Sequence, residues 1–158
     1  MNVELYFSPG ACSFVPHVGL EAVRAATGQD FTKHLVKLHK GEQKTPEYLQ
    51  VNPYAQVPAL KVDGKPLVQI VAIADWLDRT FPQVGLLPHE PWARSQALSR
   101  LAWINNTVHP TFTHVFMPQK FADDEAARAE LKRFNSALYL TQLEQIQQWL
   151  HDASPYLY

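Results

Sequence analysis

At 158 residues the chain is long enough for one full domain and part of another, and with 46% hydrophobic and 18% charged residues it has an ordinary globular composition. A formal net charge of −1 argues against nucleic acid or an anionic membrane as partner. A lone cysteine excludes an internal disulfide, which makes a cytoplasmic location the default; MNVELYFSPGAC lacks the basic region and apolar run of a leader, and no window approaches ~18 uninterrupted apolar residues.

Val3 to Phe7 alternates and is rich in strand formers, and Ser8, Pro9 and Gly10 end it. Phe14, Val18, Ala22 and Ala25 then recur at helical spacing, predicting a helix over 13–26 that Thr27 and Gly28 stop. A strand is expected over 31–38 and a loop at HKGEQKT. Pro46 at a first helical position predicts a short helix reaching about Val51. Asp63 and Gly64, between Ala59–Val62 and Lys65–Val68, are a strong hairpin signal, and Ile70, Ile73, Ala74 and Leu77 predict a helix over 70–81. The order βαβαββα is an α/β, thioredoxin-like plan: a parallel βαβ unit, a hairpin and a covering helix.

Three prolines in FPQVGLLPHEPW predict a linker, so the chain divides into a domain at 1–81, a linker at 82–91 and an all-helical part at 92–158. In that part Leu98, Leu101, Val108, Phe112 and Phe116 mark one long helix, which Pro110 should kink by removing a backbone donor. A second long helix over 124–151 carries Leu131, Phe134, Leu138, Leu143, Ile146 and Leu150 behind an acidic first turn. Two such helices bury little by themselves; either a partner covers their apolar faces or the helical part is incomplete.

Cys12 sits where a strand ends and a helix begins. Unpaired N–H groups and the helix dipole there stabilise a thiolate, either its own or that of a bound thiol. The alternative is a small buried hydrophobe, as free cysteines often are. Val15 stands three places on, so there is no CxxC pair for dithiol chemistry. Pro58 before a strand invites a second reading: with a cis peptide bond it would expose the N–H and C=O of Val57 for pairing with an extended peptide, whereas an ordinary trans proline is the commoner case.

The segments YFSPGACSFVPHVGL, GEQKTPEYLQVNPYAQVPAL, AIADWLDRTFP, WINNTVHPTF and PYLY together resemble the bacterial glutathione transferases, most similarly the beta class with its cysteine in SPGACS. The resemblance implies a glutathione-dependent transferase without metal, which presents the glutathione thiolate to a hydrophobic electrophile and works as a homodimer. Cys12 would lie near the glutathione sulfur, able to form a mixed disulfide with it. Val57 would pair with the backbone of the glutathione cysteinyl unit, with Pro58 cis, and Gln56 would be a further glutathione-binding residue. Lys40, or else Lys44, would reach the glycine carboxylate. His109 would face the sulfur from the helical domain, with Phe112 and Phe116 lining the electrophile side. His114 lies on a different face from His109 and no HExxH spacing exists, which speaks against a metal site.

Two departures from the family pattern stand out. Where the family usually reads Glu-Ser, gripping the γ-glutamyl group, this chain reads Gln69 and Ile70. Exchanging a charged for a neutral hydrogen bond and losing a hydroxyl should weaken binding by roughly 2 to 3 kcal/mol, on the order of 30- to 150-fold. An exposed Ile70 would suit a contact surface instead. The family also continues past PYLY with a capped core helix and further helices, so the helical part is expected to be incomplete. A non-catalytic glutathione-transferase-like binding module is the main alternative function, and a monothiol glutaredoxin-like activity the weaker one.

Overall fold

The computed structural model describes residues 1–152; the PYLY segment lies outside them. They divide into two compact units, Met1–Leu87 and the part that begins at Pro88.

The first unit is built on a four-stranded sheet: β1 (Val3–Phe7), β2 (Thr32–Leu35), β3 (Ala59–Val62) and β4 (Lys65–Val68), in the order β2-β1-β3-β4. β1 runs parallel to β2, with Phe7 opposite Leu35, and antiparallel to β3, with Tyr6 opposite Ala59. β3 and β4 form the expected hairpin, whose Asp63 and Gly64 have φ values of 47° and 82°. Two successive left-handed residues match the twist of the flanking strands, which explains why Asp-Gly serves here.

Two helices, α1 (Phe14–Thr27) and α3 (Ile70–Thr80), pack on one face of the sheet. Val3 and Leu5 of β1, Leu20 and Val23 of α1, Leu60 of β3, and Ile73 and Leu77 of α3 form the core, each at most 1% exposed. Each such aliphatic side chain contributes about 1.5 to 3 kcal/mol through burial. α1 can come this close to α3 because of Gly19: a Cβ there would stand 3.2 Å from Leu77 Cδ1. The other face carries the single-turn α2 (Pro46–Leu49), whose Tyr48 packs with Val36 and Val57 in a second, smaller cluster.

β2 is shorter than the strand expected over 31–38. Phe31 dips into the main core before the strand begins, and Val36 turns into the second cluster while its N–H still reaches Phe7 O at 2.8 Å. The HKGEQKT stretch is not plain loop either. It winds into two 3-10 turns, Leu38–Lys40 and Glu42–Lys44, joined by Gly41 at φ 74°.

Residues 82–87, read from the sequence as part of a linker, belong with the first unit. Pro82–Val84 form a 3-10 turn, and the buried carboxylate of Asp78 on α3 accepts a hydrogen bond from the Leu87 N–H at 3.0 Å.

The second unit contains α4 (Pro91–Trp103), α5 (His109–Phe116) and α6 (Glu125–Asp152). Glu90 caps α4 by accepting from the N–H groups of Trp92 and Ala93, and these bonds hold its carboxyl below its ordinary range. Between α4 and α5 the chain does not simply kink at Pro110: Ile104–Val108 form a π-helical stretch. On α6 the buried positions are polar, Asn135 and Gln142, whereas Phe134, Leu138, Leu143 and Leu150 of the expected apolar stripe are exposed. No helix among the described residues is long and apolar enough to cross a membrane.

Candidate functional site

The loop that carries Cys12 is closed by a pair of serines. The Ser8 N–H donates to Ser13 Oγ at 3.1 Å, and the Ser13 hydroxyl donates back to Ser8 O at 3.0 Å, with Ser13 fully buried. Successive bonds, Ala11 N–H to Ser8 O and Phe14 N–H to Ala11 O, wind the loop into α1. Cys12 is thereby held half-buried just before the first turn of α1. Its thiol donates to the Val57 carbonyl at 3.4 Å, joining two segments 45 residues apart.

The Val57–Pro58 peptide bond is cis. Both residues are buried, and Gln56 before them is exposed. The Gln56 carbonyl accepts two hydrogen bonds, from the Tyr48 hydroxyl at 2.6 Å and from Asn52 Nδ2 at 2.7 Å. Burial, with a smaller contribution from Tyr6, pushes the Tyr48 phenol up to about 12. Among the described residues the Val57 N–H has no acceptor, so this peptide presents an open donor beside the carbonyl that Cys12 touches.

Gln69 links β4 to α3 in a left-handed conformation, φ 74°. Its carbonyl accepts from the Ile73 N–H, but its side chain makes no capping bond and is exposed. The N–H groups of Ile70, Val71 and Ala72 head α3 with no acidic residue in its first turn. Ile70 is not the exposed contact residue expected from sequence: it is 8% exposed.

The registers gather these residues at one end of the sheet. Phe7 stands opposite Leu35, Tyr6 opposite Ala59, and Ala59 opposite Val68. The Cys12 loop after β1, the stretch with Lys40 and Lys44 after β2, Gln56–Pro58 before β3 and Gln69 after β4 therefore all leave the sheet at the same end. Lys40 and Lys44 are both exposed.

His109 opens α5 in the second unit, directly after the π-helical stretch, and its N–H donates five residues back to Ile104 O. Pro110 has no N–H for the carbonyl of Asn106 and its ring crowds that carbonyl, a strain that a wider turn relieves. His109 stacks on Phe112 with ring centroids 6.0 Å apart, Phe112 lies 4.7 Å from Phe116, and Tyr139 of α6 closes on both. Although the residue is exposed overall, these neighbours strip enough water from the imidazole to lower its pKa, and Lys120 adds to the shift. His114 lies against Phe121 with ring centroids 4.2 Å apart and planes tilted by 55°. Among the described residues no group of three or more His, Cys, Asp or Glu is placed to hold a metal ion.

Sequence reasoning singled out Cys12 and Val57, which the fold brings into contact. It passed over Ser13, Tyr48 and Asn52, which hold them. Only the spacing of Tyr48, Asn52 and Gln56, at i, i+4 and i+8, offered a signal.

Residues 1–79 match the family model described as "Glutathione S-transferase, N-terminal domain". The chain is 33% identical over 126 residues to glutathione S-transferase GST-4.5 of Xanthomonas campestris pv. campestris, an alignment covering 78% of this chain and 58% of that protein. It spans little more than half the length of that curated relative. Two solved structures are also similar. A sphingomonad glutathione S-transferase complexed with glutathione is 34% identical, with a TM-score of 0.66 over 89% of this chain and 70% of that one. The beta-class glutathione S-transferase of Sphingomonas chungbukensis is 29% identical, with a TM-score of 0.77 over 98% of this chain and 75% of that one.

Proposed function

Because this chain belongs to the glutathione S-transferase family, we propose that it binds glutathione as an added strand along Val57 and transfers the thiolate to a hydrophobic, aromatic electrophile. The single observation that carries the reading is the meeting of Cys12 Sγ with the Val57 carbonyl at 3.4 Å, beside a Val57 N–H that has no acceptor among the described residues. An extended peptide laid on that edge finds one donor and one acceptor, the pairing used in strand addition. Its central thiol then lies beside Cys12, near the N-terminus of α1, where the helix dipole favours a thiolate.

The remaining assignments follow from the ligand's chemistry. The γ-glutamyl carboxylate meets the N–H groups at the head of α3, and Gln69 accepts from the amino group without a charge. Lys40, or else Lys44, takes the glycine carboxylate. His109, kept neutral by its lowered pKa, can accept a proton or a hydrogen bond on the electrophile side. The neighbouring rings of Phe112 and Phe116, tilted by 33°, suit an aromatic co-substrate. A cytoplasmic homodimer belongs to the same proposal.

Calorimetry with glutathione and an assay with a generic aromatic electrophile test the reading. Glutathione should bind measurably, Gln69→Glu should tighten it about tenfold by restoring a charged hydrogen bond, and Cys12→Ala or His109→Ala should lower the conjugation rate by at least an order of magnitude. Absence of binding at millimolar glutathione would sink the transferase reading in favour of a non-catalytic module. Full activity in both alanine variants would remove the site assignment.

A further inference from the structure

We infer that Tyr48 and Asn52 are positioning residues that orient and polarise the Val57 N–H by holding the carbonyl of the same peptide unit. This rests on the reading of Val57 as the ligand's strand partner. The Gln56 carbonyl and the Val57 N–H share one planar trans amide, so an anchor on the oxygen fixes the direction of the N–H on the opposite side. Two donors converge on that oxygen, the Tyr48 hydroxyl at 2.6 Å and Asn52 Nδ2 at 2.7 Å. Both residues are buried, at 6% and 2% exposure, while Gln56 itself is exposed. Electron density drawn towards the oxygen leaves the N–H a stronger donor, as in any chain of hydrogen bonds.

The anchors are themselves constrained. Tyr48 is wedged edge-on against Tyr6 and packed with Val36 and Val57, and its N–H is held by the Thr45 hydroxyl. With its phenol pushed up to about 12 it stays a donor throughout the neutral range. The Asn52 amide accepts from the Tyr54 N–H at 3.0 Å through its oxygen, which turns its nitrogen onto Gln56. Without these two bonds, the stretch from Asn52 to Pro58, which holds no helix or strand, would have no side-chain tie on the Gln56 carbonyl.

Tyr48→Phe deletes one hydroxyl and keeps the ring; Asn52→Asp replaces the donor with an acceptor and keeps the bond from Tyr54. In the full chain each should raise the glutathione Kd and KM about 3- to 10-fold and leave the KM for the electrophile unchanged. The Val57 amide proton should move upfield in the NMR spectrum of the ligand-free variants. A role in folding alone would lower the melting temperature without separating the two KM values or shifting that resonance. If Asn52→Asp fails to fold, Tyr48→Phe decides. Wild-type protein that binds glutathione, beside a folded Tyr48→Phe within twofold of it and an unmoved Val57 resonance, overturns the inference alone. Wild-type protein that does not bind overturns the transferase reading, and this inference with it.

Discussion

Ser13 shows how much one hydroxyl can hold at the scale of the residue. It bonds both the N–H and the C=O of Ser8, so its loss leaves a buried N–H without an acceptor just where the Cys12 loop closes. Ser13→Ala should cost about 1 to 3 kcal/mol, read as a lower urea midpoint with an unchanged slope. An unchanged midpoint would mean that the loop closes by its backbone turns alone. Gln69 is constrained differently, through its backbone: at φ 74° it occupies a region that β-branched residues avoid, while its exposed side chain is free to differ. The backbone of this position is thus constrained while its side chain is not.

Among the elements, the helical run through Pro110 departs from a regular α-helix at the π-helical stretch Ile104–Val108. Pro110→Ala restores the missing N–H and removes the ring, so the π-helical stretch should tighten towards an ordinary α-helix. We expect stability to rise by about 1 to 3 kcal/mol, read as a higher urea midpoint, while the conjugation proposed above slows, because His109 directly follows the widened turn. A gain in stability with no loss of rate would show that the turn has no part in aiming His109. From the sequence, the bounds of β1, β3 and β4 were legible, and those of α1 and α3 within a residue, because alternation, helical spacing and the Asp-Gly turn are local signals. β2 was overextended because Phe31 and Val36 look like strand residues yet leave the strand for two different clusters. In the site, the Cys12 and Val57 segments could be found by their motifs. Tyr48, Asn52 and Ser13 were passed over: apart from the i, i+4, i+8 spacing of Tyr48, Asn52 and Gln56, a polar side chain that serves a backbone group a few residues away leaves little trace in the sequence. Ile70 shares the helical spacing of Ile73 and Leu77 and is buried as they are; exposure was suggested by its place in the family's binding pair, not by its periodicity.

The two units differ in what they bury. The first has a contiguous apolar core and a second cluster beneath the Val57 edge. Among the described residues of the second, the buried set is small and half polar: Ala97, Val108 and Val115 with Thr111, Asn135 and Gln142. Gln142 Nε2 reaches Thr111 Oγ1 at 3.2 Å, while its Oε1 is buried without a partner among those residues. Residues 1–87 produced separately should therefore melt in one cooperative transition by circular dichroism, and residues 88–158 should show helical signal without one. A cooperative transition in the second fragment would mean that its helices hold together better than their buried set suggests. The bond from Leu87 to Asp78 bears on protein engineering as well. Because the last residue of the first unit is fastened to α3, that unit closes on itself before any helix of the second begins. Position 88 is thus a natural splice point, at which the helical portion of another transferase could be joined without cutting into the contacts of the first unit.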